Sequence, residues 1–168
     1  MKAISIILIL VVTSGSIGCT PSWLNDYNEG VQSQQSGKTD LAEQRFKLAV
    51  QKNPDLAEAY LNLGLIQINR GWLDGGEAST KMAIEIFERT HKTIVTGSTW
   101  QQALSLAYNN LGVVEIQRSL AAEIKSNRDV AKVHWKNAMS HFRMAVSLDP
   151  MDSVAQGNVE RFKNCYPD

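Results

Sequence analysis

Small residues recur along this chain at a fixed interval of 34 positions: Gly30 with Gly64, Gly37 with Gly71 and Ala49 with Ala83, accompanied by Asn28 with Asn62. A period of that length is the signature of a stacked helix-turn-helix unit. The second half of the unit also returns further on, because Ala42, Phe46, Ala49 and Pro54 have the same spacing as Ala138, Phe142, Ala145 and Pro150. One unit therefore occurs three times, and the chain is expected to stack helical hairpins side by side around a single elongated core.

Sterics give the reason for these residue types. Small residues at Gly30, Gly64 and Gly112, and at Ala42, Gly76 and Ala138, let the two helices of a hairpin approach where a larger side chain would hold them apart. Phe46 and Phe142 follow the small residue by four positions, and Ala49, Ala83 and Ala145 follow it by seven, which places all of them on one face of the second helix. Asn53-Pro54-Asp55 and Asp149-Pro150-Met151 end that helix, since proline lacks an N–H and disfavours helical geometry in the residue before it.

Two departures from the period have the same size. Gly64 to Gly112 exceeds one repeat by 14 residues, and Gly112 to Ala138 exceeds Gly30 to Ala42 by 14. Fourteen residues are close to four helical turns, so lengthened helices would keep their apolar faces nearly in register. Longer helices, not long loops, are expected. One helix should run on from Met82 to about Val95 and break at Thr96-Gly97-Ser98, with Ser98 and Gln101 forming a capping box for the next. That next helix should span Thr99 to about Lys125, the chain should turn over 126–129, and Val130 to Leu148 should return. Asp152 to about Asn164 reads as a final helix whose Val154, Val159 and Phe162 cover the last repeat.

The residues Tyr60-Leu61-Asn62-Leu63-Gly64, Gly71 and Ala83, with Tyr108-Asn109-Asn110-Leu111-Gly112, Ala138, Phe142, Ala145 and Pro150, resemble the tetratricopeptide repeat family. The resemblance implies an all-α solenoid of three such hairpins, the third with elongated helices, plus a C-terminal capping helix. Its repeats would span about 23–56, 57–98 and 99–151, within a domain of 23–168 capped by 152–168. The first unit departs from the pattern at Asp26, Glu29 and Ser33, so its first helix is expected to pack less tightly. The second carries Gly76 and Thr80 where the family has alanine and an aromatic residue, and no proline follows Ala83.

The N-terminus carries a different signal. Lys2 precedes an apolar stretch from Ile4 to Val12, followed by small residues and then Ser16-Ile17-Gly18-Cys19. The apolar run is about half of the ~20 residues that span a bilayer, which reads as an export signal rather than a membrane helix. Ser16-Ile17-Gly18-Cys19 resembles the lipobox of bacterial lipoproteins, apart from Ser16. The resemblance implies a signal peptide over 1–18, lipidation of Cys19, and a short linker over 19–22. Thr20 after the cysteine is unlike an inner-membrane retention signal, which favours an outer-membrane lipoprotein facing the periplasm. With Cys19 acylated, Cys165 has no intramolecular partner and is expected to be a free thiol near the cap that behaves as a small hydrophobe.

Chemistry-bearing motifs are missing. No phosphate-binding glycine loop, His-Glu-x-x-His, Cys-x-x-Cys or Gly-x-Ser-x-Gly occurs in the chain. Lys plus Arg equals Asp plus Glu at 17 each, with no run of one sign, so neither a nucleic-acid footprint nor a polybasic membrane patch is expected. His134 and His141 stand seven apart without nearby carboxylate or cysteine partners, and are read as surface or interface groups rather than metal ligands. Glu85 and Glu88 beside Arg89 and Lys92 read as an ion-paired helix surface. Trp23, Trp72, Trp100 and Trp135 are expected to pack at repeat and hairpin junctions. No cofactor is implied, and the chain is not expected to be an enzyme.

Function is then expected from the surface. In tetratricopeptide arrays the first helices of successive repeats line a concave groove that takes peptide segments. By that resemblance Tyr27, Asn28, Val31, Leu61, Asn62, Leu65, Ile68, Asn109, Asn110, Val113 and Ile116 are groove positions. The lining is apolar with amides. Members that grip acidic C-termini resemble one another in placing lysine and arginine at positions that here hold Tyr27, Val31, Asn109 and Val113, so an apolar protein segment is the expected partner. The chain resembles small pilotin-like and envelope-adaptor lipoproteins of the family. That resemblance implies a lipid-anchored adaptor for assembling a pilus or secretion channel, or alternatively a regulator that docks peptidoglycan synthases or hydrolases; a third and less favoured reading is an enzyme or metal-binding protein using His134 and His141.

Overall fold

The computed structural model describes residues 20–166, and these form seven α-helices with no strand among them. They are α1 (Ser22–Gln35), α2 (Thr39–Lys52), α3 (Ala57–Asn69), α4 (Leu73–Thr90), α5 (Trp100–Ile124), α6 (Arg128–Leu148) and α7 (Ser153–Phe162). The export and lipidation expectations, with Cys19, lie outside the described residues.

The first six helices pair as hairpins α1–α2, α3–α4 and α5–α6, and α7 packs on the last. Three-residue turns close all of them. The turns need left-handed backbone at Gly37 (φ 72°), Gly71 (φ 77°) and Ser126 (φ 57°), a conformation glycine adopts without steric cost. Asn53 and Asp149 end α2 and α6 immediately before Pro54 and Pro150, as the proline positions require.

The repeating glycines sit at the tightest contacts. A Cβ at Gly30 would come 2.7 Å from the Phe46 ring, and one at Gly112 would come 2.4 Å from Phe142. In the middle hairpin the filler is smaller. There Gly64 faces Thr80, whose fully buried hydroxyl donates to the Gly76 carbonyl, and a Cβ at Gly76 would meet Ile68 at 2.5 Å. Glycine on both helices lets the two backbones close over the space an aromatic ring fills elsewhere.

Three buried clusters follow one another along the solenoid. Tyr27, Phe46 and Leu56 centre the first, Phe87, Leu104 and Leu111 the second, and Ile116, Met139 and Phe142 the third. Trp23, Trp100 and Trp135 pack against these clusters in turn, whereas Trp72 lies over Gly75 and is 56% exposed. The departures in α1 are accommodated by charge: Asp26 is buried and paired with Arg45 (3.3 Å) and Lys52 (2.5 Å) of α2.

The two inserts resolve differently. In the third hairpin, α5 runs seven residues further past its glycine than α3 does, α6 starts seven residues earlier than α2, and the turn length is unchanged. Seven residues are two turns, so the facing surfaces stay in register. The other insert is divided. α4 has 18 residues against 14 in α2, α5 begins five residues earlier than α3, and five residues are added to the connection, which spans 91–99. The helix expected to reach Val95 therefore stops at Thr90, where His91 turns left-handed at φ 52°. The β-branched run Thr93-Ile94-Val95-Thr96 is a poor helix former, and its freed backbone groups find other partners.

Two further expectations are corrected. The capping box at the start of α5 is Thr99 with Gln102, because the Ser98 carbonyl accepts from Thr93 Oγ1 and its hydroxyl pairs with Thr96. In α7, Val159 and Phe162 pack on the third cluster, Phe162 stacking 6.0 Å from Phe142, but Val154 is exposed. Asp152 caps α7 and also accepts from Ser105 of α5 at 3.2 Å.

Candidate partner-binding groove

α1, α3 and α5 are the first helices of their hairpins, and α3 contacts α5 directly. On a helix, residues at i, i+4 and i+7 form one stripe. Counting from Gly30, Gly64 and Gly112, the same register gives Leu24, Asn28 and Val31 on α1, Glu58, Asn62 and Leu65 on α3, and Leu106, Asn110 and Val113 on α5. The stripe lies about a third of a turn from the face that the glycine presents to the second helix. Eight of these nine side chains are exposed or half-buried, so they form an accessible wall with an amide row flanked by apolar rows.

The expected groove positions divide under this geometry. Asn28, Val31, Asn62, Leu65, Asn110 and Val113 lie on the wall, and Leu61 is half-buried against the second cluster. Four others are covered. Tyr27 packs on Phe46 with ring centroids 5.7 Å apart, Ile68 is enclosed at the α3–α4 contact, and Ile116 belongs to the third cluster. Asn109 is buried and accepts a 2.8 Å hydrogen bond from Asn158 of α7. The family resemblance misplaces these residues, since they sit on the flank of the stripe where neighbouring helices close over it.

Leu24, Glu58 and Leu106 form the wall's first row and were missed. Their position six residues before each repeated glycine was a sufficient signal. Leu106 is 48% exposed at the row's far end, whereas Glu58 is buried, and it is the only ionisable residue of the nine. Glu58 Oε1 accepts the backbone N–H groups of Ile94 and of Val95 (3.0 Å), while Oε2 is buried without a hydrogen-bond partner among the described residues. Val95 packs against the first cluster. The 91–99 connection is thus a strap lying over the N-terminal end of the α3 stripe. Burial pushes the Tyr27 phenol far above its ordinary value, with the Glu58 charge adding to the shift and the Asn62 side chain opposing it.

Charge ties α5 to its neighbours α4 and α6. Arg118 of α5 bridges Asp74 (2.7 Å) and Glu77 (2.6 Å) of α4 and Glu115 (3.2 Å) of its own helix. His134 Nδ1 sits 2.8 Å from Glu115 Oε2, so this histidine does have a carboxylate partner, while His141 stacks on Tyr108. Burial holds His141 below its usual pKa. No group of three metal-binding side chains converges among the described residues. Cys165 is free and exposed rather than buried, at the rim of a cavity lined by Leu120, Trp135 and Tyr166.

No protein-family model matches the sequence, and no curated protein matches it either. Solved structures do match in shape. The chain is similar to the Arabidopsis OM64 TPR domain, with a TM-score of 0.64 at 16% identity over 86% of this chain and 97% of that one. It is similar to the first TPR of Spaghetti (RPAP3), solved bound to the HSP90 peptide SRMEEVD, with a TM-score of 0.62 at 12% identity over 85% and 94%. A third likeness is the N-terminal domain of stress-induced protein-1 (STI-1) from C. elegans, with a TM-score of 0.58 at 10% identity over 84% and 94%. The chain has the fold of a tetratricopeptide repeat domain.

Proposed function

We propose that this protein is a lipid-anchored adaptor of the bacterial envelope that holds an extended apolar segment of a partner protein, serving the assembly of a pilus or secretion channel. The observation that carries the binding reading is the three-row wall on α1, α3 and α5. Its Asn28, Asn62 and Asn110 recur in one register and offer amides to a partner's backbone whatever its sequence, while Val31, Leu65, Val113 and Leu106 offer apolar contact.

The charge pattern separates this groove from one that takes acidic peptides. None of the nine wall positions is lysine or arginine, and the single ionisable one is the acid Glu58. A peptide carboxylate entering here would lose its hydration without gaining a cation, which is unfavourable. The placement in the envelope rests on Lys2, the Ile4–Val12 run and Cys19.

Affinity capture of the protein from membranes, read by mass spectrometry, tests both parts. Leu65→Asp should weaken capture by about tenfold or more without unfolding the domain, and high salt should leave wild-type capture nearly intact because few exposed charge pairs are involved. Cys19→Ser should leave the protein unprocessed or free of membranes. Capture that collapses in high salt while Leu65→Asp is neutral would overturn the apolar groove. Correctly processed Cys19→Ser protein that still pellets with membranes would overturn the anchor.

A further inference from the structure

The strap over 91–99 has the chemistry of a ligand already seated on the wall. Its Ile94 and Val95 amides both donate to Glu58 Oε1, and the Val95 side chain enters the first cluster. Its ends are fixed separately: Thr93 Oγ1 donates to the Ser98 carbonyl at 2.8 Å, and the His91 ring meets the Trp100 ring edge-on at 4.6 Å. The acceptor it uses belongs to the same stripe as Asn62 and Leu65. Leu106, the equivalent of Glu58 one repeat later, carries no such cover and is half exposed.

We propose that the strap is an internal stand-in for the partner segment, and that the partner binds by displacing it. The inference rests on the groove reading above and adds what the segment must look like. It is an extended stretch with two consecutive backbone N–H groups and an apolar β-branched side chain at the place of Val95, continuing past Asn62 and Asn110 towards Val113. Proline at either amide position would remove a donor and is excluded.

The strap is an imperfect occupant, which makes displacement favourable. Both of its amides crowd onto one carboxylate oxygen, and Glu58 Oε2 remains buried with no donor among the described residues. A buried acceptor without a partner is costly. A free segment is not tethered at His91 and Trp100, so it can shift to divide its N–H groups between the two oxygens. Because a strap-closed groove lowers the population of the binding-competent state, it also lowers apparent affinity by the same factor.

A labelled synthetic peptide of residues 91–99 is the probe, and its binding to the full chain is read by fluorescence anisotropy. Val95→Gly in the protein, which removes the strap's side-chain anchor, should raise affinity for the probe by about tenfold, while a probe carrying Asp in place of Val95 should not bind. Hydrogen exchange at Ile94 and Val95 of the wild-type protein should accelerate when the probe is added. Circular dichroism of Val95→Gly checks that the helices persist, and Ile94→Pro supplies a second strap variant if they do not. Equal probe binding by wild type and strap variants, or unchanged exchange at Ile94 and Val95 under saturating probe, would overturn the displacement proposal while Leu65→Asp still weakens partner capture. Loss of the Leu65→Asp effect on capture would instead overturn the groove itself.

Discussion

The two 14-residue inserts differ in what they contact, and the difference shows how one repeat acquires packing and another acquires a device. In the third hairpin the added residues divide equally between α5 and α6, and the two halves meet beyond the Gly112–Phe142 contact, where Ser119 of α5 donates to the Ala131 carbonyl of α6. Helical structure then continues because burial and register agree at every turn. Between α4 and α5 the added residues divide: Phe87 of α4 packs with Ala103 and Leu104 of α5 in the second cluster, but the connection itself has no partner helix. Only part of them stays helical, and the β-branched centre is taken up by an acid on α3 and by the first cluster. Equal length therefore does not imply equal structure; an available apolar face decides.

The largest expected effect tests the seam. Gly112→Leu should lower stability by about 3 kcal/mol, since the new side chain would collide with Phe142 in a close-packed contact. Gly157→Ala, in the exposed middle of α7 where a Cβ meets nothing within 4 Å, serves as the control and should be stabilising by about 0.5–1 kcal/mol. Chemical denaturation with unchanged m-value would read the difference. A Gly112→Leu protein as stable as wild type would remove the distinction between the packed insert and the strap.

Much of this was legible beforehand because the glycine and alanine positions are fixed by sterics that act within one hairpin. Gly30 and Gly64 lie where the 34-residue period places close contacts, Gly112 lies there once the 14-residue insert is counted, and the proline positions mark the ends of α2 and α6. What was not legible depends on contacts distant in sequence. Glu58 captures amides more than 30 residues away, which local propensity around Val95 does not reveal. Ile68 and Asn109 share a spacing with groove residues, and only the packing of α4 and α7 over them shows that they are covered. His134 acquires its carboxylate from α5, across the hairpin.

The smallest expected effect concerns the charge network between α4 and α5. A hydrogen bond from Lys81, reinforced by Arg118, holds Glu77 below its ordinary 4.5 against the opposing effect of burial. A carboxylate with a depressed folded pKa contributes stability above the unfolded value, and that contribution is lost as pH falls through the folded one. The Glu77 side chain is partly covered but its first partner Lys81 is 63% exposed, so solvent screens the pair, and Glu77→Gln should cost only about 0.5 kcal/mol at neutral pH and nothing once wild type is titrated well below pH 4.5. Thermal melts of both proteins across that range check the sign. A gap that widens on acidification would contradict the assignment.

The central claim is that the wall on the first helices, and not the outer side, receives the partner. A photo-crosslinking residue placed at Leu106, exposed at the open end of the wall, compares directly with one at Met144, exposed on α6 opposite the Phe142 face. Irradiation in cells followed by mass spectrometry should trap a protein from Leu106 and none from Met144, with the trapped peptide extended and apolar. Trapping from Met144 with none from Leu106 would contradict the account.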